Sequence, residues 1–332
     1  RTARTHYMPQ GSGVLPAIAS MLGPRINPDT AMTRPLVHSA VGERYDLGAG
    51  DAAYALGHDR ALGLLASDLQ EHQTLRAQLD VAREIAHRPH AANDLYGAWY
   101  DAVLALGERP EGTLPSFMTT EAYADLRMSS ALNAYGQLRH NYVLMAGQSY
   151  DEGGCAIPDA WVEPAPAVYD ALIAYTERGA AAVHELADGS DDLHHAQAYF
   201  VTLAARLRVL RAIVRDELAG RALSPEALRF LSMVVEITPG SSDGPPTYTG
   251  WYFDLFRSRV NEGLADAHYI ADWYTSSNSG NVAYLGAKGP RMGVFVVDVG
   301  GVPRAFVGPV ASSYEHRAPL SHRLNDEEAR EL

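Results

Sequence analysis

The stretch Met292-Gly-Val-Phe-Val-Val-Asp-Val-Gly-Gly-Val-Pro-Arg-Ala-Phe-Val-Gly-Pro309 decides how the rest of the chain is read. Residues 292–299 and 303–309 are β-branched and aromatic runs. The Gly300-Gly301 pair between them can supply the positive φ that a tight hairpin turn needs. Residues 268–274 and 281–285 have the same character and are read as partner strands. A small antiparallel sheet is therefore expected near the C-terminus.

Moving toward the N-terminus, a loop of Gly, Ser, Pro and Thr covers 240–249, and before Pro239 the pattern is helical. Ser224-Pro225-Glu226 opens a helix running to about Ile237, since proline at a first helical turn sacrifices no hydrogen bond. Residues 193–218 and 167–187 are two amphipathic helices. The longest clean helix runs from Glu121 to about Gln148, with Thr120 as its cap. Residues 93–106 repeat the pattern through Leu95, Trp99, Val103 and Leu106, and 69–86 through Leu75, Leu79, Ala82 and Ile85. Asp51 or Asp59 caps a further helix ending near Ala66. Residues 1–50 form a Pro/Gly/Arg-rich lead-in with a short helix near 14–21. The fold class is thus mainly α with a small C-terminal antiparallel β-sheet, an α+β arrangement with a multi-helix body. Three regions follow: the lead-in at 1–50, the helical body at 51–238, and a loop plus sheet at 239–332 packed on that body. No repeat of 20–50 residues suggests a solenoid.

The 332 residues carry a formal charge of −13, with 47% apolar and 20% charged residues. That acidic balance argues against nucleic-acid binding, which needs a basic patch to displace counterions. Lys288 is the only lysine, a bias in keeping with a GC-rich genome. No apolar run approaches the roughly 20 residues of a membrane helix. The lone Cys155 follows Asp151-Glu152-Gly153-Gly154, an acidic setting that raises a thiol pKa, so it is read as structural. The signatures of zinc peptidases, serine hydrolases, P-loops and dinucleotide-binding folds are missing.

Several strings, in order along nearly the whole chain, resemble the domain-of-unknown-function family 3160. They are Leu22-Gly-Pro-Arg-Ile-Asn-Pro-Asp29, Ala55-Leu-Gly-His-Asp-Arg-Ala61, Phe117-Met-Thr-Thr120, Gln137-Leu-Arg-His-Asn141 and Gln148-Ser-Tyr150. Trp161-Val-Glu-Pro164, Glu217-Leu-Ala-Gly220, Leu223-Ser-Pro-Glu226 and Ile270-Ala-Asp272 complete the set. The resemblance implies large bacterial and archaeal proteins, often exported or lipid-anchored, and so an extracytoplasmic location: periplasm, cell surface or secreted. Members are longer at the N-terminus, which implies that this chain corresponds to a C-terminal portion, made by processing of a precursor whose N-terminal fragment stays associated. A simply truncated chain is the alternative. The sequence departs from the family pattern at Asn141, Gly147 and Tyr274, where Asp, Lys and His are expected. No activity or cofactor is implied.

Two constellations are candidates for chemistry. In the first, Arg139 can clamp a carboxylate while His140 shuttles a proton, and Gly136 and Gly147 on the same helix permit close approach of a ligand or backbone. The competing reading is a packing network bridging to the sheet, and it is preferred. In the second, strand alternation puts Asp266, His268 and Asp272 on one face, with His268 and Asp272 as metal ligands; a polar strand face is the preferred alternative. His194-His195 after Asp191-Asp192 is read as a helix start capped by Ser190 or Asp191. Trp251, Tyr252, Phe253 and Trp273 form either a recognition surface or core. Two functions follow: a binding or structural component at the envelope, which is preferred, or a hydrolase-like, metal-assisted enzyme with its site between helical body and sheet.

Overall fold

The computed structural model describes residues 2–3, 18–19, 28–38, 40–89, 94–109, 114–141, 160–186, 189–238, 240, 245–258, 263, 268–299 and 301–332. A two-residue ribbon pairs β1 (Thr2–Ala3) with β2 (Ile18–Ala19). The expected short helix near 14–21 is therefore extended where it is described.

The helical part contains α1 (Pro28–Ala31), α2 (Ala49–Ala55), α3 (Ala66–Glu71), α4 (Leu75–Ala86), α5 (Leu95–Gly107), α6 (Glu121–Asn141), α7 (Pro166–Leu186), α8 (Asp191–Leu218) and α9 (Pro225–Ser232). Their starts follow capping chemistry. The side chains of Asp94, Thr120, Ser190 and Ser224 accept the amides of Gly97, Tyr123, Leu193 and Ala227, satisfying donors that a first turn cannot pair internally. Asp51 lies inside α2 and accepts the amide of Gly48 at 2.8 Å. That helix ends at Leu56-Gly57 because Gly57 takes φ +108°, a conformation costly for any other residue. A 3-10 turn at Asp59–Gly63 then leads to α3. The helix expected to reach Ile237 stops at Ser232. The β-branched run that follows instead forms β3 (Glu236–Thr238), paired with β4 (Thr247–Thr249).

The three-stranded sheet has the order β5 (Tyr269–Ser276), β6 (Asn281–Val299), β7 (Val302–Pro319), all antiparallel, followed by α10 (Asp326–Ala329). Residues 281–285 are the first half of the same strand that forms the hairpin. Only a register shift between Lys288 and Arg291 separates the halves, where Pro290 has no amide to contribute to the ladder. Gly301 takes φ +85° in the turn.

The main core lies between α2, α4, α5 and α6 and one face of the sheet. Leu75, Leu79, Ala82, Tyr100, Val103 and Tyr135 meet Trp273, Ala283 and Leu285 there. Leu75, Leu79 and Ala82 are the stripe read from sequence. A second cluster joins Val162 to Ile213 and Val214 of α8 and Leu231 of α9.

Candidate functional site

Helix α6 carries both residues of the first candidate, and each is tied to an internal carboxylate. Arg139 Nη1 donates to Asp29 Oδ2 at 3.3 Å. Asp29 is fully buried, and the same oxygen accepts the Tyr96 hydroxyl at 2.5 Å and the Tyr135 hydroxyl at 3.4 Å. Burial pulls the Arg139 guanidinium down, but Tyr135 and Asp29 outweigh it and hold it above its ordinary value. Burial, reinforced by Asp29, raises the Tyr96 and Tyr135 phenols. The carboxylate that Arg139 clamps is thus one of the chain's own, at a site shielded from solvent competition.

His140 Nε2 sits 2.9 Å from Asp326 Oδ2 at the start of α10. The other oxygen, Oδ1, accepts the Ile270 amide of β5 at 2.9 Å, and the imidazole lies 5.3 Å from the Tyr269 ring. One side chain therefore joins helix, sheet and C-terminal turn. The expected close approach along this face also appears. A Cβ on Gly136 would lie 3.0 Å from the Tyr269 hydroxyl and 3.4 Å from Leu285 Cβ, so the glycine admits the sheet itself. Gly147 and Cys155 lie outside the described residues.

Of the second candidate, Asp266 lies outside the described residues and His268 is half-buried just before β5. Asp272 is paired with the guanidinium of Arg323 and accepts the Thr275 hydroxyl at 3.3 Å. Its charge is thus already neutralised by a cation. Among the described residues, no group of three or more His, Cys, Asp or Glu side chains is arranged to hold a metal ion. His195 Nδ1 donates to the Asp191 carbonyl at 2.7 Å, inside the first turn that Ser190 caps.

The aromatic group also turns inward. Phe253 and Trp273 are buried. Trp251 stacks on Phe230 with ring centres 4.9 Å apart and donates to the Phe230 carbonyl, while Tyr252 donates to the Gly263 carbonyl.

The surface that stands apart was not singled out from sequence. In the distal half of the β6–β7 hairpin, Val294 pairs with Val307, Val296 with Ala305 and Met292 with Pro309. Paired residues share a face, so these six apolar side chains line one side of the ribbon. On it Met292 is 72% exposed, Val294 68%, Val307 63% and Val296 51%. The opposite side carries Phe295, which meets Phe117, and Phe306, which meets Trp161, together with buried Val297. One face thus anchors the hairpin on the helical body and the other is bare. The signal was present in the sequence. An antiparallel ribbon with one wet face alternates apolar and polar residues, whereas 292–297 and 305–310 are apolar on both sides. Lys288, Arg291 and Arg304 flank this hairpin against the single acid Asp298, a local excess of cations on a strongly acidic chain.

No curated protein and no solved structure matches the chain. A family described as "Protein of unknown function (DUF3160)" matches residues 16–332. With nearly the whole length covered, the chain belongs to the DUF3160 family.

Proposed function

We propose that the protein is an extracytoplasmic binding component that docks a second polypeptide on the bare face of the β6–β7 hairpin. The observation that carries this reading is the contiguous apolar face of Met292, Val294, Val296 and Val307, each more than half exposed. Exposed patches of about 300–600 Å² are the largest usual on a monomer and are often interaction sites. The partner we assign is an N-terminal fragment of the same precursor, in keeping with the greater length of the proteins this chain resembles. A partner segment with apolar side chains complements the valines of this face.

The engagement of Arg139 by Asp29 and of His140 by Asp326 favours this reading over a hydrolase working through those two residues. A general acid–base pair has to be able to exchange its proton with substrate, and here both groups serve internal ties.

The test is purification from the native source of the wild type and of the double variant Val294→Asp/Val307→Asp. The wild type should bring down a stoichiometric polypeptide encoded upstream in the same gene, and the variant should lose it while keeping its circular dichroism. Recovery of the wild type alone, under mild cross-linking, would overturn the proposal.

A further inference from the structure

A second site, separate from the bare face of the hairpin, lies where the C-terminal ends of α8 and α9 meet the hairpin tip. A cleft of about 620 Å³ opens there, walled by Trp161, Leu223, Leu228, Leu231 and Phe306, with Glu217 among its lining residues. This volume lies within the roughly 300–1,000 Å³ typical of small-molecule sites. Three strings singled out in the sequence meet there, the adjacent ones around Glu217 and Leu223 and the distant one around Trp161.

Glu217 is only 8% exposed. Its Oε1 accepts the Val162 amide at 3.1 Å, which pins the segment before α7 against α8. Among the described residues, Oε2 is buried without a hydrogen-bond partner, as is the indole Nε1 of Trp161 in the same wall. Burial pushes the Glu217 carboxyl up to about 8, outweighing the lowering by the Val162 amide, so at neutral pH it is an O–H donor. The charged groups nearby do not reverse this. Arg221 is held by Asp216, while Asp298 and Arg304 stand on the hairpin at the opposite wall. Tyr169, whose own phenol Glu217 helps to raise, adds no cation.

The wall therefore holds two buried groups able to donate, an indole N–H and a carboxyl O–H, inside an apolar surround. A buried donor left unpaired costs more than its bond would have contributed, and such groups mark where a polar atom of a ligand belongs. We propose that this cleft binds a neutral, largely apolar small molecule that presents a carbonyl-type oxygen to Glu217, with its flat or aliphatic body between Trp161 and Phe306. The charged lining residues Arg221, Arg304 and Asp298 are of both signs, and Arg221 is already held by Asp216, so they favour neither a cationic nor an anionic ligand. Both donors are shielded from water, so the ligand's oxygen must insert past the apolar lining. The bond it then makes is not diluted by solvent competition.

The experiment uses prodan, a neutral naphthyl ketone whose emission reports both polarity and hydrogen bonding to its carbonyl, titrated into the intact chain. One saturable site with blue-shifted emission is expected at pH 7, weakening about tenfold by pH 9 as the protonated fraction of Glu217 falls. Glu217→Gln, which keeps a donor, should bind at both pH values with equal affinity. Glu217→Ala should bind about tenfold more weakly at pH 7. The proposal is overturned if affinity is indifferent to pH and to Glu217→Ala. It is equally overturned if the dye is lost from Val294→Asp/Val307→Asp and retained by Glu217→Ala, which would place it on the bare hairpin face instead.

Discussion

Replacing Glu217 by glutamine should stabilise the protein at alkaline pH and do almost nothing at acidic pH. The wild-type carboxyl moves from an ordinary 4.5 to about 8 on folding, with desolvation as the cause. An acid whose pKa is raised by folding contributes stability that is fully present below the unfolded value. That stability is lost as pH rises and is gone above the folded value. The window is therefore about pH 4.5 to 8. Each pH unit of separation corresponds to about 1.4 kcal/mol, so the full excursion is on the order of 5 kcal/mol. Glutamine has the same shape and can still accept the Val162 amide, and it does not ionise. Urea denaturation followed by circular dichroism at pH 4.5, 6 and 8.5 gives the free energy for both proteins, and their difference removes every other titrating group. The difference should be near zero at pH 4.5 and grow steadily to several kcal/mol in favour of the variant at pH 8.5. A constant difference across the three pH values would refute the placement of Glu217 in an apolar, uncompensated setting.

His58 should show the opposite pH dependence. It is 7% exposed, and burial, reinforced by Arg127 and Arg83, lowers it to about 4. Its contribution is present above pH 6.5 and lost as pH falls toward 4, by on the order of 3 kcal/mol; His58→Gln should remove that acid-side loss in the same urea series. Asp29→Ala leaves the Arg139 guanidinium without its buried partner and should cost about 3–5 kcal/mol, read as a lowered urea midpoint. Arg127 donates to the Ala105 and Leu106 carbonyls at the end of α5, so Arg127→Met should cost about 1–3 kcal/mol and accelerate hydrogen exchange in the last turn of that helix. Asp326→Ala removes the acceptor of both His140 and the Ile270 amide, and should expose the C-terminal turn to limited proteolysis while leaving the helical body intact.

Much of this architecture was legible in the chain because it rests on local chemistry. Ser224-Pro225, Ser190 and Thr120 mark helix starts through their own hydrogen bonds, and the Leu75–Leu79–Ala82 stripe marks a buried face. Breaks decided by a single backbone angle were harder to see, such as Gly57 ending α2 where the apolar pattern continues into the next turn. Residues 281–285 and 292–299, two separate apolar runs in the sequence, are parts of one strand, because the residues between them cause only a register shift and the ladder runs on.

The candidate site shows the same division. Arg139 and His140 were visible as polar residues in an apolar helix, but their partners Asp29 and Asp326 lie 110 and 186 residues away. No local pattern announces such a pairing. Glu217 was visible only as part of a string, because its raised pKa comes from burial in the folded chain, beside a cleft that Trp161, Leu223 and Leu231 line from other segments. The bare hairpin face was present in the sequence as apolar residues on both sides of the ribbon.

The docking face is tested most directly by a photo-cross-linking residue placed at position 294 in the native source, with a control at the exposed Arg208 of α8. One discrete cross-linked product is expected from position 294, containing a peptide from the same precursor, and none from position 208. Exposure of position 294 with no cross-linked polypeptide, or equal labelling from both positions, would contradict it.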